Sequence, residues 1–179
     1  MEDKISLQLS KKKMLSMSIG AFAFVLLGIW FIINPPIQEK GLFSNAKVIQ
    51  VLGIISVLFF GLLLFTFFRK ILDKQPGLII DEHGITDNAS AVSAGHIPWS
   101  EIQQLKTIKE SGQYFLMIIV DDPYKYIERQ KSPLKRKISD LNFKRYGSPI
   151  NISANTLECD FERLKKIVQD KFDKQNLIN

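Results

Sequence analysis

The residues able to do chemistry in this 179-residue chain are few and widely scattered. Its two histidines are His83 and His96. Asp81, Glu82 and Asp87 lie near His83 and could be drawn as a metal cluster, but no HxxxH or HxxE spacing supports ligation. A polar turn and a strand end are the expectation for the two imidazoles. Cys159 is the single cysteine, so an internal disulfide and a multi-thiolate metal site are both excluded within one chain. As a nucleophile it has no base marked nearby, and a half-buried strand cysteine is the simpler reading. Ser-x-x-Lys, the spacing of acylating serine enzymes, occurs at Ser10/Lys13 and Ser132/Lys135, both in highly basic text without companion motifs. There is no phosphate-cradling glycine loop. No catalytic residue, metal or cofactor is expected, and an enzyme using His83 or Cys159 is the least favoured alternative.

The elements that would position such residues are dominated by two apolar runs. Residues 14–33 (MLSMSIGAFAFVLLGIWFII) and 48–68 (VIQVLGIISVLFFGLLLFTFF) are uncharged over 20 and 21 residues. At about 1.5 Å per helical residue, each run covers roughly 30 Å, the hydrocarbon thickness of a bilayer. Two helices buried on all sides are a poor fit to so short a chain. A transmembrane hairpin over 14–68, with an external loop at 34–47, is therefore expected. A cleaved signal peptide fits less well, because the run is too long and no small-x-small site precedes Asn34-Pro35-Pro36. Gly20, Gly28, Gly53 and Gly61 are the expected helix-packing positions, with Ser16 and Ser56 beside them, and a homodimer is a further use of the same faces. Neither run carries an ionisable residue, so a proton or ion path has no visible chemistry.

The net charge of +6 is unevenly placed. Residues 1–74 carry nine basic against four acidic side chains, and 75–179 carry fifteen against fourteen. The excess therefore flanks the apolar runs, which leaves nucleic acid little claim on it. Lys11, Lys12 and Lys13 precede the first run, and Arg69, Lys70 and Lys74 follow the second. By the positive-inside rule both termini are expected in the cytoplasm. Trp30 and Phe31 suit the outer interface, where Pro35-Pro36 ends the helix.

Outside the runs the text alternates between strand and helix signals. Residues 4–10 set Ile5, Leu7 and Leu9 against polar neighbours, a short strand with one buried face within the segment 1–13. Too short to be stable alone, it is expected to join the sheet of the C-terminal domain, 69–179. Strands follow at 78–81 and 85–87 around the Glu82-His83-Gly84 turn, then at 96–99, 101–108 and 113–120. The last is apolar on both faces, as a central strand is. Asp122-Pro123 and Ser132-Pro133 each open a helix. Leu134, Ile138 and Leu141 share one face of the second, which Gly147 ends. Residues 149–153 form a short strand, and Asp160 caps a final helix with Phe161, Leu164, Ile167, Val168 and Phe172 on one side. The expected class is α+β, with a mostly antiparallel sheet and helices late in the chain. Trp99 is read as a core anchor, with an exposed interfacial aromatic as the alternative.

GLIIDEHGITDN at 77–88, followed by HIPWSEI at 96–102, resembles the opening of bacterial PH-like domains. The Ile-Pro-Trp-x-x-Ile signature is matched by Ile97, Pro98, Trp99 and Ile102. With the lysine-flanked hairpin before it, the chain is similar to a bacterial family of two-helix membrane proteins, largely of unknown function. The likeness extends through YKYIERQKSPLKRKISDLN and GSPINIS. It implies a PH-like split barrel capped by the C-terminal helix, in a two-span protein of the bacterial plasma membrane. The departure is the long basic helical segment 123–146, which an ordinary PH domain lacks. These motifs are structural, so they identify a scaffold and no activity.

That basic segment is the sharpest functional feature. Residues 125–145 hold Lys125, Arg129, Lys131, Lys135, Arg136, Lys137, Lys144 and Arg145 against Glu128 and Asp140. Near anionic lipid each such charge contributes about 1 kcal/mol. The alternatives are a solvated helix face and, third, RNA binding, which lacks aromatic interleaving here. The expectation is a non-enzymatic integral membrane protein holding a binding domain at the cytoplasmic face. Membrane lipids and a protein of unknown identity are its expected partners, and nucleic acid is not. An immunity protein that neutralises a toxin at the membrane is the alternative.

Overall fold

The computed structural model describes residues 4–36, 41–90 and 92–177. Part of the expected external loop (37–40) and the first three residues of the N-terminal segment lie outside the described residues. The chain divides into two units, one of residues 11–74 and one that joins 1–10 to 75–179.

The first unit is a helical hairpin. Helix α1 spans Lys11–Ile33 and α2 spans Ala46–Leu72. Both are long and apolar enough to cross a membrane. They run past the uncharged stretches into the flanking lysines, which are good helix formers, and reach roughly 35 and 40 Å at 1.5 Å per residue. Asn45 starts α2 by accepting a hydrogen bond from the Lys47 amide at 2.9 Å. The helices pair antiparallel: Ser56 Oγ donates to Phe24 O, Gln50 Nε2 donates to Ile32 O, and Phe24 stacks on Phe60 at 4.4 Å.

Of the four glycines expected to pack this hairpin, two do so. A Cβ on Gly28 would sit 2.9 Å from Gly53 O, and one on Gly53 would sit 2.6 Å from Gly28 O. The backbones touch there because neither residue has a side chain. Gly20 and Gly61 correct the expectation, since a Cβ at either would meet nothing within 4 Å. They lie off the seam on which Gly28 and Gly53 meet.

The second unit is α+β and holds two antiparallel sheets. Strands β1 (Ile5–Leu7), β2 (Leu78–Ile80), β3 (Gly84–Asp87) and β4 (Gly95–Pro98) form the first, in chain order. Strand β1 joins it across the whole hairpin, with Ile5 opposite Ile80 and Leu7 opposite Leu78. Its alternation is as the sequence reads: Leu7 and Leu9 are buried while Ser6 and Gln8 are exposed. Leu9 continues as a bridge to Leu157. Gly84 is required by close approach, since a Cβ there would lie 2.1 Å from Ile97 O on β4.

Strands β5 (Ile102–Glu110), β6 (Gln113–Val120) and β7 (Ile150–Ile152) form the second sheet. Ser111 and Gly112 both have positive φ, which suits a two-residue turn between β5 and β6. β6 is central, and Leu116, Met117 and Ile118 are buried in succession, so both of its faces are covered.

Helices α3 (Pro123–Glu128) and α4 (Pro133–Tyr146) fill the connection from β6 to β7, and α5 (Phe161–Asn176) follows β7. α5 buries Leu164, Val168 and Phe172. Phe172 meets Trp99, and Phe161 stacks on Tyr114 of β6. Trp99 is therefore a core residue, with Nε1 donating to Asp81 O at 2.8 Å. Cys159 is buried too, but it lies between β7 and α5 and not on a strand.

Candidate interaction surface

The basic corner of α3 and α4 is fixed to the sheets by a small polar network. Asp122 caps α3, accepting from the amides of Tyr124 and Lys125, with Pro123 at the first helical position. Glu101, just ahead of β5, then binds two α3 side chains: Lys125 Nζ donates to Oε1 at 2.6 Å and the Tyr126 hydroxyl donates to Oε2 at 2.8 Å. The hydrogen bond from Lys125 holds the Glu101 carboxyl below its usual range. Burial, reinforced by the Glu101 carboxylate, pushes the Tyr126 phenol up.

The end of α3 clamps the β3–β4 loop. Arg129 Nη1 donates to Ala94 O and His96 O, and its guanidinium stacks on the Tyr126 ring at 4.7 Å. Gln130 Nε2 donates to Ser93 O. Inside the loop, Asp87 accepts from the amides of Ala89, Ser90 and Ala94, and Ser93 Oγ donates to Asp87 O. Burial raises the Asp87 pKa, partly offset by those donors, so the carboxylate is a loop organiser. Side-chain hydrogen bonds of Asp87, Ser93 and Gln130 thus hold the described residues of this loop.

Six lysines and arginines of this corner were candidates for lipid or partner contact, and they separate into two groups. Lys125, Arg129 and Arg136 have structural work within the domain. Arg136 Nη2 reaches Glu128 O and Gln130 O and so ties α4 to α3. These bonds give the three side chains a role inside the domain beside any outside contact, since each keeps further N–H donors. The side chains of Lys131, Lys135 and Lys137 take part in no ion pair or hydrogen bond among the described residues. Further along α4, Lys144 pairs with Asp140 and Arg145 with Glu110. A shallow concavity of about 430 Å³ at the corner is lined by Ile127, Lys131, Pro133, Arg136, Lys137 and Asp140.

The direction in which α4 faces is set by the fold. Leu134, Ile138 and Leu141 share a face as their spacing requires, but they are 62%, 38% and 54% exposed. The inward residue is Ser139, at 1% exposed, and Phe143 meets Tyr124 edge to face. Composition therefore located the cations and spacing located the aliphatic face, but neither fixed the direction in which that face points. Lysines stand at 135, 137 and 144 around those three residues.

The other candidates stay apart. His83 is exposed on the β2–β3 turn beside Glu82, and His96 Nδ1 lies 3.1 Å from Thr86 Oγ1 on the neighbouring strand. Among the described residues no group of three or more His, Cys, Asp or Glu could hold a metal ion. Lys11, Lys12 and Lys13 occupy the first turn of α1, where the helix dipole disfavours cations, so helix stability does not account for them. Arg69 and Lys70 occupy the last turn of α2 and Lys74 lies just beyond it. Comparison of the chain with protein-family models, with curated proteins and with solved structures finds no match.

Proposed function

We propose that this chain is a membrane-anchored binding protein: α1 and α2 cross the bacterial plasma membrane as a hairpin, and a PH-like domain on the cytoplasmic side acts through protein or lipid contacts, without catalysis. The observation that carries the reading is the surface of the hairpin. Phe22, Leu26, Trp30, Val51, Leu58, Leu62 and Phe65 are all at least half exposed, along both helices. Such a surface is far larger than a soluble monomer leaves open, and lipid is the solvent that suits it.

Two features support the arrangement. β1 precedes the hairpin and β2 follows it, yet they pair in one sheet, which favours an even number of crossings. Lysines and arginines bracket the hairpin at that same end, as the positive-inside rule asks of a cytoplasmic side. A four-stranded and a three-stranded antiparallel sheet followed by a C-terminal helix support the PH-like assignment. The mechanism is confinement: anchoring raises the effective concentration of a weak contact without adding any new one.

Impermeant maleimide labelling of intact cells tests this. Ser44→Cys in the α1–α2 connection is expected to label from outside, and Lys166→Cys on α5 only after permeabilisation. The reverse pattern overturns the orientation, and release of the protein by alkaline carbonate overturns the crossing.

A further inference from the structure

We infer that the outward face of α4 is a lipid-inserting surface, in which Leu134, Ile138 and Leu141 enter the headgroup region of an anionic leaflet while the lysines beside them meet lipid phosphates. The inference rests on the anchored reading above and adds a second, peripheral contact made by the domain itself.

Helical geometry places the parts. At 100° per residue, Leu134, Ile138 and Leu141 fall within an arc of about 60°. The opposite side belongs to the domain, where Ser139 is buried and Phe143 packs on Tyr124. The helix is thus inverted relative to a core helix, with a serine inward and three large aliphatic residues outward. Lys137 and Lys144 border the aliphatic arc on one side and Lys135 on the other, while Arg145 extends it at the C-terminal end. Lysine stems can lie along an apolar surface while the ammonium reaches up to a phosphate. Apolar residues flanked by basic ones are a pairing also found on helices that lie at a membrane interface.

Charge complementarity selects the occupant. α4 carries Lys135, Arg136, Lys137, Lys144 and Arg145 against one acidic residue, Asp140. Lys135 and Lys137 have no internal partner among the described residues, so their charge is available to an anion. Only five residues, 73–77, join α2 to β2, which keeps the surface at high effective concentration near any bilayer that α2 crosses.

The test uses the full chain in nanodiscs of phosphatidylcholine alone or of phosphatidylcholine with phosphatidylglycerol. An environment-sensitive fluorophore is placed at Leu134→Cys, Ile138→Cys or Leu141→Cys in a Cys159→Ala background whose circular dichroism matches the parent. Lys166→Cys on α5 and Phe22→Cys on α1 are the reference sites. The expected result is a blue shift, with quenching by nitroxide lipid, at all three α4 sites in anionic discs only. Lys166→Cys is expected to stay aqueous and Phe22→Cys to stay apolar in both discs. The paired change Lys135→Glu with Lys137→Glu is expected to abolish the α4 shift. Aqueous α4 probes in both discs with an apolar Phe22 probe overturn the inference and leave the anchor standing. Equal shifts in both discs overturn the anionic assignment. Probes that are aqueous in pure lipid but cross-link to a protein in native membranes replace lipid with a protein partner. An aqueous Phe22 probe overturns the anchored reading itself.

Discussion

Helices α4 and α5 read alike in sequence and behave oppositely in the fold. Each follows a residue of capping type, Ser132 or Asp160, though only Asp160 accepts a cap hydrogen bond, and each has an aliphatic face at helical spacing and many basic side chains. α5 turns its face inward, burying Leu164, Val168 and Phe172 beside Trp99 and β6. α4 turns its aliphatic face outward and lays Ser139 against the domain. Periodicity therefore establishes that a helix has a face, and the neighbours decide what that face meets. On α5 the aliphatic residues supply stability. On α4 they are surplus to it, and the basic shoulders point to a use outside the domain.

Four substitutions sharpen that contrast. Leu164→Ala should show the largest effect, a loss of about 2–5 kcal/mol, because it removes a fully buried side chain and leaves a cavity. Chemical denaturation of the detergent-solubilised chain measures it, and a loss below 1 kcal/mol would contradict the inward assignment of α5.

A smaller effect is expected at Glu101, which fastens α3 and hence the start of α4. Its carboxyl is held below the ordinary value of 4.5, so its contribution is present above that pH. The contribution is lost as the pH falls toward and through the folded value. Glu101→Gln should lower stability by about 1 kcal/mol at neutral pH, given that Lys125 is partly exposed and screened. The gap between variant and parent should close as the medium is acidified. A gap that stays constant down to pH 3 would show that Glu101 acts by packing alone.

The smallest effect on stability belongs to Leu134→Ala and Leu141→Ala, each within about 0.5 kcal/mol of the parent, as exposed sites usually are. If either proved as costly as Leu164→Ala, α4 would have to cover its face within the domain and the contrast would collapse.

Much of the architecture was legible locally. The uncharged runs marked α1 and α2, and Asp122-Pro123 and Asp160 marked helix starts. Doubly apolar text marked β6 as central. Less of the candidate surface was legible. Counting cations treated Lys125 and Arg129 like Lys135 and Lys137, although the first pair serves Glu101 and the β3–β4 loop. Those acceptors lie 24 to 35 residues away in the chain, beyond any local pattern.

What the sequence by itself determined is short in range: hydrogen bonds between near neighbours, the periods of 3.6 and 2, and the caps and turns that interrupt them. What the tertiary structure decided is which surfaces meet. It joined β1 to β2 across the hairpin, chose Gly28 and Gly53 over Gly20 and Gly61, and turned the aliphatic face of α4 outward. The physical reason is that a hydrophobic face gains by being covered, whatever covers it. Only the packing of distant segments determines whether that cover comes from the protein's own core or from outside it.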